Sequence, residues 1–359
     1  MAERSCCRLS RGSSEVFAFR RKHGQNGSVG AGPARCAPAA RLALTPSETP
    51  LQGKSIRIGT RGSPLALAQA HEVRTRLMAA HGMPETAFEI TVIKVIGDQI
   101  LDRPLAEVGG KGLFTKEIED ALVSGAVDLA VHSMKDMQTV LPDGLAIGAV
   151  LPREDVRDAF ISLHYKSLAE VPAGATVGTS SLRRQAQLKH IRPDLVVVGF
   201  RGNVQTRLRK LEERVADATF LACAGLNRLG LEDRITCPME LADMLPAVAQ
   251  GAIGIEIRAA DAKTAALVSP LDDVPTATAV TAERAFLARL EGSCRTPIAG
   301  HARLEGGRLR FRGQVLSPDG SQCLETAHEG RPDDAAAIGL AAAETLLAQG
   351  AGKIIAVAS

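Results

Sequence analysis

From Ser55 onward, short apolar extended runs alternate with segments of helical period, and this alternation confines the body of the chain to α/β architecture built from βαβ units. Ser55 to Gly59 predicts a strand. Behind it, Ser63-Pro64 supplies an N-cap and a first-turn proline for a helix through about Ala80. A second strand is expected at Ile90 to Val95, then the glycine-rich Val108-Gly109-Gly110-Lys111-Gly112, a helix from about Phe114 to Ser124 and a buried strand at Val127 to Val131. Beyond Arg153-Glu154-Asp155 a further βα series places strands near Thr176, Val196 and Phe220 and closes around Pro246 to Gly251. A strand at Ile253 to Ile257 is a candidate to return to the first sheet. From about Thr276 the pattern changes to a long helix, strands with turns at Gly306-Gly307 and Pro318-Asp319-Gly320, and a final helix, which together read as a small α+β unit.

The expected fold is therefore α/β with a C-terminal α+β domain. Residues 54–152 with 252–270 form one lobe, 153–251 a second lobe across a cleft, and 271–359 the third domain. Residues 1–53 stand apart, rich in Arg, Ser, Ala and Gly, with 8 Lys/Arg against 3 acids and no apolar core of a secretory signal. They are expected to be a disordered extension, either an unselected leader or a transit-like segment. Without them 35 basic residues face 37 acidic ones, so the body is close to neutral. No apolar run nears the roughly 18 residues of a membrane span. With no Trp, nine Phe and one Tyr, platforms for base stacking are scarce. Membrane and nucleic-acid partners are both disfavoured. The cysteines never form a Cys-x-x-Cys pair, so no metal site is indicated.

Two blocks carry the strongest chemical signal. Gly178-Thr179-Ser180-Ser181-Leu182-Arg183-Arg184 and Arg201-Gly202-Asn203-Val204-Gln205-Thr206-Arg207 place arginines and hydroxyls where an apolar strand turns into a helix. Guanidinium forks and free helix N–H groups near a strand's carboxyl end make an anion cradle, whereas the helix dipole disfavours cations there without such a purpose. Arg61 in Gly59-Thr60-Arg61-Gly62-Ser63 adds a third corner of the same kind. Three such corners exceed what one carboxylate requires, so the expected ligand is elongated and polyanionic.

Other residues leave alternatives open. Lys111 does not belong to a phosphate-binding loop, because Leu105 and Gly112 stand where glycine and Ser or Thr are needed. It is either a cation on a flexible loop beside the cleft or part of a plain turn. Asp136, with Lys135 and His132, follows a buried strand where open α/β sheets bind ligands. It reads as a turn aspartate or as a carboxylate that stabilises positive charge and moves protons. Cys294 lies in a loop just past a helix with Arg295 beside it, a setting that favours the thiolate, although an inert cysteine fits the same pattern.

Taken together, these blocks resemble the hydroxymethylbilane synthase (porphobilinogen deaminase) family, from Ile56 to about Leu347. The resemblance rests on Ile58 to Ala66, Gly109 to Phe114, Val131 to Asp136, Gly178 to Arg184, Arg201 to Leu208, Leu245 to Gly254 and Gly292 to Pro297, all in one order. It implies three domains, the first two shaped like periplasmic binding proteins, and an activity that joins four porphobilinogens head to tail with loss of ammonia. It also implies a dipyrromethane cofactor held by a thioether at Cys294, Asp136 as the catalytic carboxylate, and a monomer. Because each porphobilinogen brings an acetate and a propionate, the resemblance assigns cofactor carboxylates to Lys135, Ser181, Arg183, Arg184 and Arg207. Substrate falls to Arg61, Ser63, Lys111, Arg201 and Arg228.

Three departures from the family pattern stand out. Met137-Gln138 replaces a hydrophobic-proline pair after the aspartate, which is expected to free the backbone there. Ala249 stands where many bacterial members have glycine and plant-like members alanine, and the leader has no counterpart in ordinary bacterial members. The expected compartment is thus the bacterial cytoplasm, or the plastid stroma if the leader is a transit peptide. The competing readings are a non-catalytic two-lobed binding protein, which would not need Cys294, and an inactive scaffold paralogue.

Overall fold

A computed structural model describes residues 55–99, 112, 114–292 and 296–358. The chain opens with β1 (Ile56–Arg61), α1 (Pro64–His81), β2 (Phe88–Ile93), the single turn α2 (Ile96–Gln99), α3 (Lys116–Val123), β3 (Leu129–Ser133) and β4 (Leu145–Val150). The limits of α1 follow from its ends. The Ser63 hydroxyl accepts the Ala66 N–H at 3.3 Å and Pro64 sits in the first turn, while Gly82, at φ 62°, closes the helix by donating its N–H to the Met78 carbonyl. The second strand begins at Phe88 rather than Ile90, because a short 3-10 turn over Glu85–Ala87 delivers Phe88 into the core beside Ile56.

The chain then crosses over and builds β5 (Asp158–Ser162), β6 (Thr176–Gly178), α4 (Leu182–Ile191), β7 (Val196–Val198), α5 (Val204–Glu212), β8 (Ala218–Ala222), α6 (Cys223–Arg228) and the short β9 (Cys237–Pro238). It crosses back into β10 (Ile253–Arg258) and α7 (Ala262–Val268). The last part comprises α8 (Val274–Arg289), β11 (Ile298–Glu305), β12 (Arg308–Leu316), β13 (Cys323–Gly330), α9 (Ala335–Ala348) and α10 (Ala351–Ala358).

Three sheets result, ordered β2-β1-β3-β10-β4, β7-β6-β8-β5-β9 and β11-β12-β13. Neither large sheet is purely parallel. The returning β10 inserts antiparallel between β3 and β4, and β5 runs antiparallel to β8. The first two sheets are α/β lobes of matching strand order, and the third is an antiparallel meander covered by α8 and α9, as the α+β expectation requires. Among the described residues no single helix is long and apolar enough to cross a membrane.

The two crossing segments lie side by side, with the Glu154 N–H on the Gly251 carbonyl at 3.2 Å. Gly251 has φ 91°, and a Cβ there would stand 2.5 Å from the Glu154 carbonyl oxygen, so this approach requires glycine. Glu283 of α8 fastens both segments to the third sheet. It is fully buried, takes a bidentate pair from Arg153 at 2.7 and 3.0 Å, and accepts the N–H groups of Ala249 at 2.5 Å and Ala302 at 2.7 Å. Such a carboxylate is tolerated inside because every partner is a donor.

Candidate active site

In the first lobe, β3 runs directly into a single 3-10 turn, Met134–Asp136. Met134 points inward and is 2% exposed, contributing about 1.5–3 kcal/mol of burial. It can seat only because β10 carries Gly254 beneath it, where a Cβ would stand 2.1 Å from the Met134 sulfur. The same turn leaves Asp136 with 36% of its side chain exposed, and its Oδ2 lies 3.9 Å from Nη1 of Arg61 at the end of β1. The Arg61 guanidinium stacks 4.4 Å from the centre of the Phe114 ring, which fixes its plane. Arg61, Ser63, Gln69, Thr115, His132 and Asp136 line a small cavity of about 60 Å³.

The Met137-Gln138 departure does not free the backbone. Met137 is buried in the core, and the Gln138 and Thr139 carbonyls accept Arg284 Nη2 at 2.6 and 3.1 Å.

In the second lobe, Arg183 and Arg184 turn their forks onto one acid that the sequence reading did not single out. Asp158, the first residue of β5, is fully buried and accepts Arg183 Nη1 at 2.8 Å and Arg184 Nη2 and Nε at 2.6 and 3.1 Å. Two further bonds go to carbonyls, Arg183 Nη1 to Leu245 at 2.7 Å and Arg184 Nη1 to Phe220 at 2.9 Å. Burial alone would raise the Asp158 pKa, but the two guanidiniums outweigh it and hold the carboxyl well below its usual range. Two cations in the first turn of α4 thus carry their own counter-charge.

Gln250, on the returning crossing segment, joins the two corners. Its Oε1 accepts Lys135 Nζ at 3.3 Å, and its Nε2 donates to Asp158 Oδ1 at 3.0 Å and to the Val156 carbonyl at 2.8 Å. Burial pushes the Lys135 amine down to about 8, with nearby Asp136 opposing the shift. Arg207 is pushed down to about 10, first by burial and then by Arg184 and Arg201, again with Asp136 opposing. Cations are therefore crowded here beyond what Asp136 and Asp158 offset. Nη1 of Arg201 and Nε of Arg183 are buried with no hydrogen-bond partner. Such orphaned donors beside the accessible carboxylate of Asp136 suit a ligand with several carboxylates.

Ser63 spends its hydroxyl as a helix cap, whereas Ser181, at the N-cap position of α4, makes no cap bond. Arg228, expected among the substrate contacts, instead spans the lobes. Its Nε lies 3.3 Å from Oε2 of Glu72 on α1, and its Nη2 donates to the Gly251 carbonyl at 3.0 Å. Lys111, Cys294 and the whole 1–53 extension lie outside the described residues. Beneath the small cavity, Glu256 of β10 meets His132 at 3.0 Å with both side chains buried, close to Glu119 of α3, whose carboxyl burial pushes up. His132 was legible in the sequence beside Asp136, but its partner was marked there only by a charge in the middle of the apolar run Ile253 to Ile257.

Two family models match the chain. One, described as porphobilinogen deaminase, dipyromethane cofactor binding domain, matches residues 56–266, and the other, porphobilinogen deaminase, C-terminal domain, matches residues 277–348. The porphobilinogen deaminase of Paracoccus denitrificans is 62% identical over 291 residues, spanning 81% of this chain and 93% of its own. That of Nitrobacter winogradskyi is 59% identical over 289 residues, spanning 80% and 92%. Among solved structures, a putative methionine-binding lipoprotein from Bacillus subtilis is similar over 61% of this chain and 90% of that one, at 15% identity and a TM-score of 0.38.

Proposed function

Since the chain belongs to the porphobilinogen deaminase family, and so is a transferase that joins four porphobilinogens head to tail with release of ammonia to give hydroxymethylbilane, we propose that Asp136 is its catalytic carboxylate. The observation that carries this assignment is the Met134–Asp136 turn, which leaves the Asp136 carboxylate accessible among crowded cations, 3.9 Å from Arg61. When ammonia leaves the aminomethyl arm of a porphobilinogen, a cation remains on the substrate, and Asp136 stabilises it where it forms. The same carboxylate then accepts the proton that the pyrrole carbon loses on coupling. Arg61, held flat against Phe114, orients the incoming substrate by its side-chain carboxylates, and Ser63, Arg201 and Lys111 are assigned to the same task by family resemblance.

The family's dipyrromethane cofactor supplies, when bound, the pyrrole end from which the product grows. The donor set fits it, because Lys135, Arg207 and the unpartnered Nε of Arg183 offer more positive charge than the protein's own acids absorb. Arg184 and Ser181 complete this cradle, and Cys294 is the attachment point by family resemblance. Arg228 serves better as a brace between lobes than as a substrate contact, given its bonds to Glu72 and Gly251. We further read three domains, 54–152 with 252–270, 153–251 and 271–359, a division supported by the separate sheets. We read the protein as a monomer, which rests on the family resemblance alone, and place it in the bacterial cytoplasm, in keeping with its bacterial relatives.

Intact denatured mass, with Ehrlich's reagent as a check for pyrroles, tests the assignment. The purified protein should carry an adduct of two pyrrole units that is absent from Cys294→Ala. An adduct retained in that variant would remove Cys294 from the role. Normal bilane formation by Asp136→Ala would remove Asp136.

A further inference from the structure

The larger cavity, about 440 Å³, lies away from Asp136, between the outer face of the β11-β12-β13 sheet and residues 241–245 of the second lobe. Its size falls in the range of small-molecule sites, roughly 300–1,000 Å³. The floor is set by strand register. His301 of β11 and Arg312 of β12 are direct cross-strand partners, and Arg312 in turn faces Ala327 of β13, whose small side chain leaves room above the guanidinium.

On the next rung, Arg303 and Arg310 are also direct partners, but each is already paired, Arg303 with Glu305 at 3.0 Å and Arg310 with Glu305 at 2.6 Å and Glu329 at 3.1 Å. Arg312 and His301 make no hydrogen bond or ion pair among the described residues, although both border the cavity. Burial, reinforced by the neighbouring arginines, pushes the His301 pKa down to about 4, so its ring is a neutral hydrogen-bonding group at pH 7. Leu241 and Leu245 form an apolar roof.

On the Arg303–Arg310 rung both charges are met by carboxylates, Arg303 by Glu305 of its own strand and Arg310 by Glu305 and Glu329 of the strands on either side. The neighbouring rung leaves a cation and an imidazole unpaired under an apolar roof. We propose that this pocket is a second anion site, separate from the cleft, for a small planar ring bearing a carboxylate. The ring lies beneath Leu241 and Leu245, and the carboxylate meets Arg312 and His301. The site is joined to the cleft through Leu245, whose carbonyl accepts Arg183 Nη1 at 2.7 Å and Gln187 Nε2 at 3.0 Å. A ligand pressing on Leu245 therefore acts on the residue that holds Arg183 against Asp158, which makes the pocket a place from which occupancy is felt at the cofactor cradle.

The test is isothermal titration of the holoenzyme with two probes, isophthalate and porphobilinogen lacking its aminomethyl arm, which cannot be deaminated. Both are repeated on Arg312→Gln, an exposed strand position whose replacement leaves the fold and the basal turnover intact. At least one probe should bind the parent enzyme and lose about tenfold or more in affinity in the variant, as expected for a lost charge-assisted hydrogen bond. Leu241→Glu, which sets a like charge in the roof opposite the probe's carboxylate, should give the same loss. If only the pyrrole shows it, the natural ligand is of substrate type; if isophthalate shows it as well, the site takes aromatic acids generally. Identical isotherms in parent and Arg312→Gln, or binding abolished by Arg207→Leu alone, would place all binding in the cleft and overturn the proposal. Neither result bears on whether Asp136 is catalytic.

Discussion

Asp136 and Asp158 are both carboxylates beside strand ends, surrounded by arginines, and the chain uses them in opposite ways. Asp158 is fully buried and receives three guanidinium N–H bonds and one amide N–H bond, so its charge is spent on holding Arg183, Arg184 and Gln250 in place. Asp136 has one cation at 3.9 Å and over a third of its surface open, so its charge remains available to a reacting group. Environment, rather than residue type, separates the structural acid from the chemical one.

Removing the buried partner should have the largest effect. Asp158→Asn leaves two guanidiniums inside the lobe without compensation, and a loss of about 3–5 kcal/mol is expected, read as a lower urea midpoint. Because the folded-state pKa is depressed below the ordinary 3.8, the stabilisation from Asp158 is complete above about pH 4 and fades only as pH falls toward strong acid. A variant as stable as the parent would break the comparison from the structural side.

Asp136→Asn should do the reverse. The unfolding free energy from urea titration should stay within about 0.5 kcal/mol of the parent, while kcat falls about 10²–10³-fold, the scale for losing one preorganised electrostatic group. A variant that lost stability and activity together would show that Asp136 is also a structural acid.

The two carboxylates differ equally in how legible they were. Asp136 stood inside a recognisable block, and the elements around it are fixed locally: Ser63 caps α1, Gly82 ends it, and Asp273 caps α8 by accepting the Thr276 N–H at 2.9 Å. Asp158 precedes Arg183 by 25 positions, and only the pairing of β5 with β8, and of β8 with β6, brings them together. The same non-local pairing hid Gln250 as a link between corners and Glu72 as the partner of Arg228. It also explains why an alternating βα pattern suggested parallel sheets, since the antiparallel insertion of β10 depends on where the chain returns and leaves no periodic mark.

Lys135 lies between the two acids and sharpens the contrast through pH. In cofactor-free protein its amine loses its proton near pH 8 instead of 10.5, while a bound carboxylate favours the charged form and raises that value. Cofactor loading should therefore slow about tenfold from pH 7 to pH 9, and Lys135→Arg should flatten the fall. Stability should move the other way. Between pH 8 and 10.5 the unfolded chain binds the extra proton, so the cofactor-free protein gains stability with rising pH across that window. A loading rate independent of pH would remove Lys135 from the cradle.

The smallest effect concerns the segment that carries Gln250 between the lobes. Ala249 sits at φ 60°, a left-handed conformation that costs a residue with a Cβ about 1–2 kcal/mol, and its N–H is held by Glu283 at 2.5 Å. Glycine relieves this strain but loses more entropy on folding, so Ala249→Gly should stabilise by no more than about 1 kcal/mol. Because Glu283 still fixes the segment through the backbone N–H, the position of Gln250 and the value of kcat should not change. A rise in kcat would mean that the strain at Ala249, rather than the Glu283 anchor, limits how the lobes move, and the two acids would then be coupled through the crossing segment instead of acting separately.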